Sequence, residues 1–315
     1  MNKGYRLVSF VGENSESSSG ILVGDHVYAP QELLKSVNLR DTSVLGMLRQ
    51  WEDVHPVLDA ASKAADPSNA KKLSDVTLLA PILYPGALYC AGANYWDHLA
   101  EMAEIAKKTT GKAPEMKKIA EPWFFMKSCA GAIVGTGAPV HIPNFTKQLD
   151  WEAEVGVVIG RKTRNISEAN AMDAVAGFLI INDLSARDLM KRDGTVFIYD
   201  WIGQKCFEDG APMGPWITPK AYIGNPEDMS IKLWVNGILK QDSSTSKLVH
   251  NMAEQVAYLS RHITLHPGDV IATGTPSGVG LPRGEFLKTG DVVRIEVAGC
   301  GTLINHMLDD LAGLK

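Results

Sequence analysis

The sequence predicts an α+β fold rich in β-structure, and three observations carry that prediction. Short apolar runs, among them 152–160 and 177–182, have the length and composition of strands. Residues 230–235 and 238–241 flank Asn236-Gly237, a pair that accepts the left-handed angles of a type I′ hairpin turn. Long helical patterns are few, and the clearest is 248–262, with Met252, Val256 and Leu259 on one face.

In chain order, β-like segments at 6–12 and 20–29 are separated by a Ser-rich turn at 15–20. Helical patterns follow at 43–59 and 60–73. Residues 81–86 hold two prolines and a glycine and read as a connector, which divides a small N-terminal α+β domain (1–80) from a larger one (81–315). Residues 292–297 and 301–307 form a closing strand pair, so mixed or antiparallel sheet dominates.

With 315 residues the chain is long enough to bury a full core. Its formal charge of -5 gives no reason to expect a nucleic-acid or anionic-membrane partner. No apolar run approaches the roughly 18 residues that would suggest a membrane span. Residues 1–10 include basic residues without an apolar stretch after them, so no secretory signal is expected and a cytoplasmic location is. Cys90, Cys129, Cys206 and Cys300 are widely spaced, as free thiols in a reducing compartment would be.

The chemistry concentrates in acids. Asp150-Trp151-Glu152-Ala153-Glu154 leads into an apolar strand, and alternation puts Glu152 and Glu154 on one face with Asp150. Like charges this close beside a buried run are unfavourable unless a cation neutralises them, although a lone Glu-x-Glu is commonly a solvated strand end. A third acid, Asp183, ends the apolar run 177–182. Three hard oxygen ligands suit Mg²⁺ or Mn²⁺ better than zinc. Composition alone does not show that the two strands meet.

A second constellation lies upstream. If the chain is helical from Trp96, His98 and Glu101 stand three residues apart on one face. A carboxylate beside an imidazole fixes its tautomer and raises its basicity, as a general base requires; an ordinary surface pair has the same spacing. The turn Gly92-Ala93-Asn94-Tyr95 before it permits close approach to a ligand.

Together these stretches resemble the fumarylacetoacetate hydrolase family. The matching pieces are Gly92-Ala93-Asn94-Tyr95-Trp96-Asp97-His98-Leu99-Ala100-Glu101, Asp150-Trp151-Glu152-Ala153-Glu154 and Asn182-Asp183-Leu184-Ser185-Ala186-Arg187-Asp188. Lys205 with Phe207, Pro212-Met213-Gly214-Pro215-Trp216, Asn236-Gly237 and Ala272-Thr273-Gly274-Thr275-Pro276-Ser277-Gly278-Val279-Gly280 follow in the family's order. The resemblance implies a mixed-β-roll catalytic domain, a homodimer, and Glu152, Glu154 and Asp183 as ligands of Mg²⁺, Mn²⁺ or Ca²⁺. It implies a catalytic dyad of His98 and Glu101, with Lys205 reaching the substrate's oxygens. It also implies substrate contacts from Arg187 and Thr275, and Tyr95 belongs to the same expected substrate-binding set.

Three departures stand out. Met190 replaces a glutamine common in the family, Ala211 takes the place of a small residue that is often cysteine, and 102–121 is longer than usual. That long segment reads as an enlarged lid around 98–121, whose lysines form a solvated face. The expected substrate is a small 2-keto acid chelating the cation. The expected reaction is hydrolysis of the C–C bond of an acylpyruvate or fumarylpyruvate-like 2,4-diketo acid, with His98 and Glu101 activating water. The alternative is isomerisation or decarboxylation of 2-oxo diacids from aromatic catabolism, or decarboxylation of oxaloacetate, through the same enolate.

Overall fold

The computed structural model describes residues 4–194, 196 and 198–310, so the ends of the two expected domains, 1–3 and 311–315, lie outside the described residues. Its frame is a long mixed sheet centred on two strands, Ala153–Ile159 and Val175–Asn182. They pair antiparallel, with Val155 opposite Ile180 and Val157 opposite Phe178, and every residue of both is buried. A strand covered on both faces loses its polar alternation, which is why these two read as continuous apolar runs.

The sheet grows outward in both directions. On one side Ala211–Pro219 pairs with Val175–Asn182, and Tyr5–Val11 joins it through Leu7 opposite Ile217. On the other side Val270–Ala272 runs antiparallel to the centre and parallel to Leu88–Gly92, beyond which lies Trp123–Met126. A second sheet holds Ile238–Ser244, Ser230–Val235, Val292–Val297, Gly301–Leu308 and Pro139–His141, the last pair parallel.

Alternation decides which face each side chain covers. Val155, Val157, Phe178 and Ile180 pack towards the second sheet against Ile231, Leu233 and Ile295. Val158, Leu179 and Ile181 belong to another cluster with Leu7, Met47, Leu48, Val54 and Leu58 from the N-terminal region. Residues before the connector therefore share a sheet and a core with residues after it.

Several local expectations shift. The serines at 17–19 lie in a strand, Ser17–Val23, because pairing with Tyr5–Val11 outweighs their weak strand preference; the turn moves to 12–16, where Asn14 and Ser15 take positive φ. The stretch 20–29 is not one strand, since Gly24 at φ 62° turns the chain back into His26–Tyr28. The helical pattern 43–59 divides at Gln50 into Val44–Arg49 and Trp51–Ser62. The helix expected at 60–73 ends at Ser62, because Pro67 disfavours helical angles at Asp66, whose side chain instead accepts from the Ser68 N–H. The last helix begins at Met252 rather than 248, where Asn251 and Glu254 form a capping box. The hairpin turn is as expected, with φ of 52° at Asn236 and 77° at Gly237.

All four cysteines are free thiols, and no helix among the described residues is long and apolar enough to cross a membrane. Phe178 fills the space between the two sheets with no exposed surface. Phe178→Ala is expected to destabilise the protein by about 3–5 kcal/mol in urea unfolding, and a loss well below that range would contradict this packing.

Candidate metal centre and active site

The antiparallel register answers what alternation left open. Ala153 sits opposite Asn182, so the acids flanking Ala153 meet the acid that follows Asn182. Two bonds tie the strand ends together: Asn182 Oδ1 accepts from the Glu152 N–H at 3.0 Å, and Glu152 O accepts from the Asp183 N–H at 2.9 Å. Glu152, Glu154 and Asp183 are 6%, 1% and 0% exposed, and each offers an oxygen within 4.8 Å of the others.

Cations surround two of these acids and leave the third short. Lys205 Nζ donates to Glu152 Oε2 at 2.8 Å and to Asp183 Oδ2 at 2.7 Å. Arg187 donates from Nε to Asp150 Oδ2 at 2.8 Å and from Nη2 to Glu152 Oε1 at 2.6 Å. Lys127 Nζ, fully buried, donates to Asp183 Oδ1 at 2.6 Å and to the carbonyl of Leu184 at 2.8 Å. Glu154 receives the Gly274 N–H at 2.9 Å and, among the described residues, no hydrogen bond from a cationic side chain. Four acids, counting Asp150, thus face three cations.

The electrostatics follow this imbalance. Burial raises the Glu154 carboxyl well above its ordinary range, and Asp183 and Glu152 push it in the same direction. Burial works against the charge on Glu152 too, but Lys205 and Arg187 overcome it and hold that acid below the usual carboxylate range. For Lys205 the burial penalty is likewise outweighed, by Asp183 and Glu152, so its ammonium keeps its proton beyond the normal lysine range. The residues therefore fit a divalent ion: hard, buried, convergent oxygens with negative charge left over. With such an ion and all four acids ionised, the cluster carries one excess positive charge, which suits an anionic substrate.

The first turn of the helix Trp96–Thr110 is docked onto this centre. His98 Nδ1 lies 3.4 Å from Glu101 Oε2, a loose pair, and the Gly278 N–H reaches both Glu101 oxygens at 3.2 and 3.1 Å. His98 interacts electrostatically with Glu152, so the dyad faces the acids. Asp97 accepts from Ser243 Oγ at 2.6 Å and from the Ser277 N–H at 3.2 Å. Before the helix, Asn94 donates to the carbonyls of Thr273 and His250 and accepts from the His250 N–H. Gly274 is required here: its φ is 102°, and a Cβ would lie 2.9 Å from that of Asn94.

Of the residues expected to meet substrate, Arg187 is bonded into the cluster, and Thr275 follows Gly274, which donates to Glu154; Thr275 Oγ1 accepts from Gln241 Nε2 at 2.9 Å. Tyr95 is fully buried in the core, its hydroxyl without a partner among the described residues. Lys107, Lys108, Lys112, Lys117 and Lys118 lie on the exposed side of the lid segment. The segment's return is fastened to the helix Met252–His262 by Lys118 on Glu254 at 2.5 Å and Glu121 on Arg261 at 2.8 Å. Met190 is half-buried just after the turn that carries Arg187.

Sequence reasoning missed Lys127 and Gln241. The signal for Lys127 was present: Trp123-Phe124-Phe125-Met126 is an apolar strand run closed by a cation, much as its neighbours are closed by acids. Gln241 had no local signal, since only the meeting of the two sheets gives it partners.

Comparison with known proteins agrees with this architecture. Residues 87–308 match the family model described as fumarylacetoacetate (FAA) hydrolase, C-terminal. The chain is 39% identical over 308 residues to the mitochondrial oxaloacetate tautomerase fahd2 of Xenopus laevis, covering 96% of this chain and 90% of the frog protein. The structure of maleylpyruvate hydrolase from Sphingobium sp. SYK-6, in complex with manganese(II) and pyruvate, is similar with a TM-score of 0.74 and 26% identity, covering 97% of this chain and 99% of that one. The 2-hydroxyhepta-2,4-diene-1,7-dioate isomerase of Mycobacterium marinum is similar with a TM-score of 0.71 and 28% identity over 97% of this chain and 99% of its own. The chain belongs to the fumarylacetoacetate hydrolase family.

Two substitutions probe the charge balance. Glu154→Gln is expected to abolish Mn²⁺ binding, followed by the electron paramagnetic resonance of free Mn²⁺, without lowering the melting temperature of the metal-free protein. Lys127→Met leaves part of a buried carboxylate unpaired and should cost about 3–5 kcal/mol of stability in chemical unfolding. A neutral Lys127→Met would contradict the pairing with Asp183.

Proposed function

We propose that this chain is a divalent-metal-dependent enzyme acting on a small 2-keto acid, and that its reaction is the keto–enol tautomerisation of an oxaloacetate-like diacid. The observation that carries the reading is the buried acid cluster in which Glu154 has no bonded cationic side chain among the described residues, beside the His98–Glu101 pair. Mg²⁺ or Mn²⁺, with Ca²⁺ as a further candidate, held by Glu152, Glu154 and Asp183, would supply Lewis acidity towards the keto oxygen.

The chain's own residues account for the rest of the chemistry. His98, oriented by Glu101, takes the proton from the carbon next to the keto group and delivers it to the enolate oxygen, and the reverse transfer restores the keto form. Glu101 holds its place because the Gly278 N–H grips both its oxygens. Lys205 meets the negative charge that develops on oxygen, and its fixed ammonium needs no reorganisation to do so. Arg187 and Thr275 receive the substrate's carboxylate. The similarity to the frog oxaloacetate tautomerase along nearly the whole chain supports this choice of substrate.

A second reading, hydrolysis of the C–C bond of an acylpyruvate or fumarylpyruvate, rests on the same dyad, because an imidazole backed by a carboxylate is equipped to activate water. The likeness to a maleylpyruvate hydrolase supports it. Assembly as a homodimer belongs to the proposal too. Val196, Ile198, Tyr199 and Ile202 are 92%, 57%, 52% and 70% exposed, and Tyr199 stacks on Trp201, which meets Trp123, so a second subunit would have an apolar face to cover.

With Mg²⁺ or Mn²⁺, the protein is expected to speed the loss of the ultraviolet absorbance of enol-oxaloacetate without releasing carbon dioxide or pyruvate. A chelator should stop it. His98→Gln should lower turnover by about 10²–10⁴-fold while leaving Mn²⁺ binding intact. Pyruvate and a second acid from an acylpyruvate, with no effect on oxaloacetate, would transfer the assignment to the hydrolase.

A further inference from the structure

The two threonines of Thr273-Gly274-Thr275 have hydroxyl groups set in opposite senses. Thr273 Oγ1 donates to the carbonyl of Val155 at 2.9 Å, so its hydrogen is consumed by the central strand. Thr275 Oγ1 instead accepts, from Gln241 Nε2 at 2.9 Å. Gln241 has no exposed surface and lies on Ile238–Ser244 of the second sheet.

The orientation of the Gln241 amide is dictated by backbone groups of fixed polarity. Its Oε1 accepts from the Ala153 N–H at 3.0 Å, which only an oxygen can do. Its Nε2 donates to the carbonyl of Pro276 at 2.8 Å, which only a nitrogen can do. The second Nε2 hydrogen then falls to Thr275, and the Thr275 oxygen is an acceptor. The hydroxyl hydrogen forms no bond with another described residue, and Thr275 is 5% exposed beside the loop that crosses Glu154. Close packing holds the arrangement: a Cβ at Gly278 would lie 2.1 Å from the carbonyl oxygen of Lys240.

We infer that Gln241 is a positioning residue that occupies one lone pair of the Thr275 oxygen and leaves its hydroxyl hydrogen to donate to the substrate, so that the site favours an oxyanion at that point over a group that must itself donate. The inference rests on the keto-acid reading of the site. Gln241 touches no substrate; it spans the two sheets between Ala153, at the acid-bearing strand, and the Thr275 loop. A purely structural staple would have the same contacts, and the distinction lies in whether Gln241 and Thr275 act through one another.

The test is a double-mutant cycle read by calorimetric binding of oxalate to the Mn²⁺-loaded protein. Thr275→Val and Gln241→Met are each expected to weaken oxalate binding roughly 10- to 100-fold, the scale of one hydrogen bond to a charged group. Mn²⁺ affinity should not change, Thr275→Ser should bind as the wild type does, and the double variant should be no weaker than the weaker single one. Where Gln241→Met does not fold, Gln241→Glu replaces it: it keeps an acceptor for Ala153 and draws the Thr275 hydrogen to itself, with the same loss expected. Additive losses, or wild-type oxalate affinity in Thr275→Val, would overturn the assignment. A wild-type protein that binds Mn²⁺ but not oxalate would overturn the keto-acid reading and this inference with it.

Discussion

A buried acid beyond those that the chain's own cations pair is the constraint from which the site follows. Asp150, Glu152, Glu154 and Asp183 lie where the central strands begin and end, and Lys127, Arg187 and Lys205 offset all but one of them. Carrying a carboxylate into an apolar interior is costly unless something compensates it, and the cost here falls on Glu154, whose hydrogen bond comes from a backbone N–H and not, among the described residues, from a cation. A protein that keeps such a group in its core retains a standing demand for a cation. The same imbalance, once a divalent ion is counted, becomes a demand for an anion.

The sheet is what makes that demand local. Each of the central strands is buried along its whole length, so the register between them is strongly specified, because a slip of one residue would exchange the faces of every side chain. Glu152 and Asp183 are therefore placed by the packing of Val155, Val157, Phe178 and Ile180 on the layer below. Fold stability and site geometry share these contacts, and the acids sit at the strand ends, where the chain leaves the core and a small molecule can arrive.

Around this rigid floor the groups expected to meet substrate come from separate parts of the chain. The Thr273-Gly274-Thr275 loop touches the central strand through Thr273 and the acid cluster through Gly274, and is pinned to the second sheet by Gln241. The helix carrying His98 is held at its start by Asn94 and Asp97, and the far end of its segment is held by surface ion pairs that are individually weak. Rigid attachment near the chemistry and weak attachment farther out suit a segment that must let substrate in and out.

Much of this was legible in the chain itself, wherever the governing interaction is short-range. Period-two alternation put Glu152 and Glu154 on one face, helical spacing put His98 beside Glu101, and Asn236-Gly237 announced its hairpin. Local patterns failed where long-range pairing or a capping group intervened, as with the serines at 17–19, the stretch 60–73 and the start of the last helix. Asp183 could be suspected from its place at the end of an apolar run, but its meeting with the other acids is a matter of antiparallel register across some thirty residues of chain. Lys127 and Gln241 arrive from still farther away, and Tyr95 lies in the core although its neighbours in sequence are at the site. Sequence by itself determined the kinds of groups and their local faces; only the tertiary structure decided which of them share a charge, because pairing between distant strands is set by the packing of the whole sheet.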